Sequence, residues 1–140
     1  MKRVCVLCLS LVAGAVAAAP PAMKPGLWEM TLSMEMSGMP QGMQPMPPTT
    51  TRHCYRAEDI KDLRRTVPKQ TNCKMEHWKE SGNTVSWRMS CSGTAMTTMT
   101  GSVTYSGDSY SGVGKATMNV GGRTVHMTQK YQARRVGDCK

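Results

Sequence analysis

Five methionines, Met34, Met36, Met39, Met43 and Met46, crowd into one short stretch of a 140-residue chain that holds 14 methionines and no phenylalanine. A thioether is a soft, uncharged donor suited to Cu(I), so the cluster is a candidate copper site, to which His53 or His77 could add a nitrogen. Methionine is also an adaptable filler for a core without Phe, and in a loop it makes a sticky contact surface. The sequence leaves both readings open.

The second chemically capable set is the cysteines. Cys5 and Cys8 lie in an N-terminal apolar run, and Cys54, Cys73, Cys91 and Cys139 follow it. Four cysteines allow three pairings. A four-thiolate zinc site is the alternative, but intervals of 18, 17 and 47 residues without a CxxC suit it poorly, and a redox-active pair has the same defect. Catalytic constellations are missing. His53, His77 and His126 are the three histidines, and none sits in an HExxH or beside a GxSxG nucleophile. Asp59, Asp62, Asp108 and Asp138 fall in helix or turn contexts, where capping or solvation is the ordinary role. No glycine-rich phosphate loop precedes a helix. The chain therefore reads as a non-enzyme.

These residues need elements to hold them. Trp28, Met30, Leu32, Met34 and Met36 alternate with Glu29, Thr31, Ser33 and Glu35, the period of a strand with one buried face, over about 27–36. Gly38, Pro40, Gly42, Pro45, Pro47 and Pro48 then make residues 37–48 a Met/Pro/Gly-rich loop. A second strand is expected over 49–55. A short helix should run over 57–65, with Ile60, Leu63 and Val67 on one face, Glu58 and Asp59 in its first turn, and Pro68 as its stop.

A turn at Gly82 organises residues 72–92. It sets Cys73 against Cys91, Met75 against Met89 and His77 against Trp87, and on the other face Glu76 against Arg88. That register predicts a Cys73–Cys91 disulfide and leaves Cys54 for Cys139. Two further turns repeat the device. One at Ser106–Ser109 faces Tyr105 with Tyr110; the other, at Gly121–Gly122, faces Met118 with Val125, Ala116 with Met127 and Thr117 with His126. Strands follow over about 95–105, 109–120 and 123–136, and Gly101, Gly112 and Gly114 inside them suggest that the sheet curls.

Residues 1–18 have the form of a secretory signal. Lys2 and Arg3 lead, an apolar run too short for an ordinary transmembrane helix follows, and small residues from Ala15 to Ala19 close it, with cleavage expected after Ala18. The expected location is the periplasm, where disulfides persist. Losing Lys2 and Arg3 lowers the formal charge from +9 to +7. The cations are scattered and aromatics make up 5% of the chain, so nucleic-acid binding is not expected.

The order Pro25-Gly26-Leu27-Trp28-Glu29, MEMSGMP at 34–40, Cys54 before Glu58-Asp59, Cys73, Cys91 and Gly137-Asp138-Cys139 resembles the bacterial exported family known as domain of unknown function 3617. The resemblance implies export, one small domain and a shared cysteine framework, and it supplies no activity. The fold expected is mainly β: a curled antiparallel meander sheet or partial barrel of six or seven strands with one short helix, stapled by two disulfides, in a single domain over 19–140. The function expected is a non-enzymatic periplasmic binding or envelope protein. The alternatives are a Cu(I)-binding protein using the Met-rich loop and a carrier of a small apolar ligand in the curled sheet. It is expected to be a monomer without a transmembrane segment, its partner an unidentified envelope protein or that small ligand; copper is the one cofactor considered.

Overall fold

A computed structural model describes residues 23–38, 46–67, 71–93 and 96–140, the side chains of 96 and 97 excepted. The expected leader over residues 1–18, Met39, Met43 and Pro68 lie outside the described residues. Seven strands form one antiparallel sheet: β1 (Gly26–Ser37), β2 (Thr49–Tyr55), β3 (Cys73–Ser81), β4 (Thr84–Cys91), β5 (Met96–Tyr105), β6 (Ser109–Val120) and β7 (Arg123–Gly137). Their order is β2-β1-β7-β6-β5-β4-β3, so the sheet does not close. Five strands meander in sequence, and the β1–β2 hairpin joins the far side through β7.

Alternation along each strand divides the sheet into two unlike faces. Outward point Glu29, Thr31, Ser33 and Glu35 of β1, and in register with them Arg134, Gln132, Lys130 and Thr128 of β7. Thr98, Thr100, Ser102 and Thr104 of β5 belong to the same polar face, which explains why a Thr/Ser run is a strand. Inward point the apolar partners. One rank reads Met36, Met127, Ala116, Met99, Met89 and Met75 across six strands; the next reads Met34, Gln129, Gly114, Gly101, Trp87 and Trp78.

The glycines have a packing reason. A Cβ on Gly101 would lie 2.2 Å from a carbon of the Trp87 indole, and one on Gly114 would lie 2.9 Å from the Tyr131 hydroxyl. Large rings therefore lie flat across their neighbours instead of standing off the sheet.

Both disulfides form as expected. Ser92 N donates to the Asn72 carbonyl at 2.8 Å, so the next pair, Cys73 and Cys91, occupies the closer, non-hydrogen-bonded position. Leu27 faces Cys54 on one side and Gly137 on the other, so the Cys54–Cys139 bond reaches across β1 and ties its two flanking strands together.

Two expectations need correction. The helix is not continuous over 57–65: α1 covers Ala57–Ile60, and a separate 3-10 turn covers Leu63–Arg65. Asp62 causes the break. It leaves helical geometry, and its carboxylate accepts from Arg64 N at 3.2 Å, the local competition for backbone donors typical of Asp. Leu63 and Val67 still pack inward, at 5% and 8% exposure.

The β3–β4 register also changes midway. Cys73–Cys91 and Met75–Met89 pair as expected, but a bulge at Glu76 puts His77 opposite Arg88 and Trp78 opposite Trp87. The expected His77–Trp87 and Glu76–Arg88 pairs do not form. The bulge lets two successive polar residues face outward, so Met75 and Trp78 can both face inward.

Candidate functional site

The curl gives the inner face a hollow of about 430 Å³ that touches both edge strands, with Thr51 and His53 of β2 on one side and Trp78 of β3 on the other. A flat sheet could not line one cavity from two opposite edges. Seven strands thus form a trough, and Arg65 of the 3-10 turn, with Thr66 and Val67 just after it, lines part of its mouth.

The floor is aromatic. Tyr55, Tyr105, Tyr110 and Tyr131 line it, and behind them Trp28, wholly buried and outside the lining, stacks on Tyr110 at 5.3 Å between ring centroids and meets Tyr55 edge-on at 6.4 Å. Its indole N–H donates to the Lys24 carbonyl at 3.1 Å, so the segment before β1 is held against the sheet. Burying such a ring contributes on the order of 3 kcal/mol. Tyr105 packs on Tyr110 at 5.7 Å, in the pairing that the Ser106–Ser109 turn implied.

Burial pushes the Tyr105, Tyr110 and Tyr131 phenols up from their ordinary value, Tyr110 most of all. All three stay protonated at any pH the protein meets, so the floor is neutral. Tyr110 Oη donates to the Met30 sulfur at 3.4 Å, and Tyr131 Oη to Gln129 Oε1.

The mouth differs. Arg52, His53 and Arg65 stand there, and no carboxylate lines the cavity among the described residues. Arg52 is committed to Glu29 at 2.9 Å, on the outer face. Arg65 has no ion pair among the described residues, since Asp62 is bonded to Arg64. The two facing indoles also differ. Trp78 Nε1 donates to Glu80 at 2.7 Å, whereas Trp87 Nε1 is buried with no acceptor among the described residues.

The methionines divide. Met34 is half-buried on the inner face, where Gln129 Nε2 lies 3.7 Å from its sulfur and 3.7 Å from that of Met127. Met36 and Met46 are exposed, at 38% and 47%. The sequence reading thus placed Met34 correctly on the buried face and was too generous to Met36. Met127 was not foreseen as their neighbour, because only the β1–β7 pairing brings it there.

The histidines are dispersed. His53 contacts the Tyr55 ring at 4.5 Å, His77 faces Arg88, and His126 lies across from Thr117, as the Gly121–Gly122 turn required. Among the described residues no group of three His, Cys, Asp or Glu converges on a point where a metal could sit. No helix among them is long and apolar enough to cross a membrane.

Sequence reasoning missed the tyrosines, Trp87 and Arg65 as a set. Their signal was faint: each aromatic occupies an inward position, and Gly101, Gly112 and Gly114 occupy the inward positions beside them.

A family model described as "Protein of unknown function (DUF3617)" matches residues 23–139. No curated protein and no solved structure matches the chain.

Proposed function

Because the chain belongs to the family that this model describes, over residues 23–139, and that description names no activity, we propose a function from geometry: it is an exported, non-enzymatic binding protein that holds a small apolar ligand in its trough. The hollow itself carries this reading. About 430 Å³ of concave space with an aromatic, uncharged floor lies within the size and chemistry of small-molecule sites. The two disulfides and the signal-like leader support an oxidising location, the periplasm.

The test is titration of the mature protein with single-chain lipids below their micelle concentration, followed by tryptophan fluorescence. Trp28, Trp78 and Trp87 are the chain's tryptophans, and Trp78 and Trp87 line the hollow. A saturable 1:1 change supports the reading. No change with any apolar probe removes it. Export is checked separately by fractionation and N-terminal sequencing, with a periplasmic protein beginning at Ala19 as the expected result.

One observation favours a second reading. Two thioether sulfurs, of Met34 and Met127, already converge on one partly positive amide nitrogen, with Met36 directly opposite Met127. That arrangement suits a soft monovalent cation such as Cu(I). Competition of Cu(I) against a chelator tests it: affinity no better than micromolar, or unchanged in M34L/M36L/M127L, removes it.

A further inference from the structure

We propose that the ligand of this trough is a single-chain anionic ester lipid, its acyl chain on the aromatic floor, its charged head at Arg65 and an ester oxygen at the Trp87 indole. The inference rests on the binding reading above and adds the chemical class. Three independent features lead to it.

The first is the contrast between floor and mouth. Neutral phenols, indoles, Val85 and Val103 line the interior, while the charged groups among the lining residues are the cations Arg52 and Arg65; the nearby carboxylates are engaged elsewhere, Glu80 by the Trp78 indole and Asp62 by Arg64. A wholly apolar ligand would gain nothing from that edge, and a cationic one would be repelled by it. Arg65 is the lining cation without an ion pair among the described residues, since Arg52 is held by Glu29 and Asp62, the acid beside Arg65, is bonded to Arg64. A guanidinium presents a planar fork of donors that matches phosphate or carboxylate oxygens.

The second is the orphan donor. Trp87 is 8% exposed and its ring lines the hollow, yet its N–H is buried with no acceptor among the described residues. A buried donor left unpaired costs free energy, and native structures rarely tolerate one without a reason. Trp78, stacked on it at 6.4 Å, shows that an acceptor is available to an indole here when the chain supplies one. An acyl ester supplies what Trp87 lacks, an uncharged oxygen between head and tail.

The third is size. A volume of about 430 Å³ falls toward the lower part of the range for small-molecule sites, which suits one chain and not two.

The experiment compares three probes of equal chain length on the mature, oxidised protein: lysophosphatidylglycerol, lysophosphatidylcholine, and the ether analogue of the first, which lacks the carbonyl. We expect the anionic ester to bind about tenfold or more tightly than the zwitterion, as a charge-assisted contact implies, and about three- to tenfold more tightly than the ether. Arg65→Gln, on the exposed turn, abolishes the first preference and keeps the second. Trp87→Phe keeps a ring over Gly101 and abolishes the second preference while keeping the first. Equal binding of all three probes overturns the inference and leaves the binding reading intact, whereas no binding of any probe overturns that reading itself. Preferences present in the wild type but unchanged in both variants place the recognition elsewhere and also overturn the inference.

Discussion

Glycine 101 is the residue on which the inner face most visibly depends. With Trp87 lying over it, Gly101→Ala forces a Cβ into the indole, and overpacking of this kind costs about 1–3 kcal/mol. Urea unfolding measures it, and a variant as stable as the wild type contradicts the flat-ring arrangement. On the outer face, Glu29 is gripped by Arg134 at 2.7 Å and Arg52 at 2.9 Å. The side-chain hydrogen bond from Arg134, then that from Arg52, holds its carboxyl below the ordinary value of 4.5. A depressed folded value means that this stabilisation is complete above 4.5 and fades as pH falls through the lower folded value. Glu29→Gln therefore loses less stability than the wild type on acidification from pH 7 to pH 3, measured by urea melts at both. At this scale the sequence showed which residues face inward, because a period of two is local information. It hid which rings share a cavity, because Tyr55, Tyr105 and Tyr131 meet only through pairing of strands far apart in the chain.

Among the elements, the β3–β4 ribbon is the most instructive. Its turn and its disulfide were legible, since Gly82 and two equidistant cysteines define one register, and that register holds for Cys73 and Met75. The shift beyond them was signalled by Glu76-His77, two polar residues side by side where strict alternation would put one inside. If the bulge only absorbs that surplus residue, deleting Glu76 leaves Trp78 opposite Trp87 and the Cys73–Cys91 bond intact. A scrambled disulfide map in that variant contradicts the assignment. The helix was over-extended for a related reason: helical periodicity in Ile60, Leu63 and Val67 persists across the Asp62 break, so apolar spacing alone could not reveal it. The staples should differ in weight. The chain-entropy model gives about 3 kcal/mol for the Cys73–Cys91 loop and about 4.5 kcal/mol for the much longer Cys54–Cys139 loop. Paired Cys→Ser replacements, compared by denaturant midpoint, should show the longer link costing more. The reverse order would mean that the Cys54–Cys139 link does not constrain the unfolded chain as proposed.

For the whole molecule, an antiparallel β fold with one helical segment was legible from turns spaced along a chain of alternating strands, whereas the strand order was not. Attachment of the β1–β2 hairpin to β7 is a long-range choice, and it makes the trough by bringing Trp28 and Met30 beside Tyr110 and Tyr131. One covered face and one polar face remain, and the covered face is not filled. Native mass spectrometry of the oxidised protein, taken from the cell envelope without organic extraction, examines that hollow most directly. The account predicts a single non-covalent adduct of lipid mass at 1:1 stoichiometry, displaced by added lysophosphatidylglycerol and weakened in Arg65→Gln. A spectrum showing only the bare polypeptide, unchanged after incubation with every single-chain lipid tried, would contradict it.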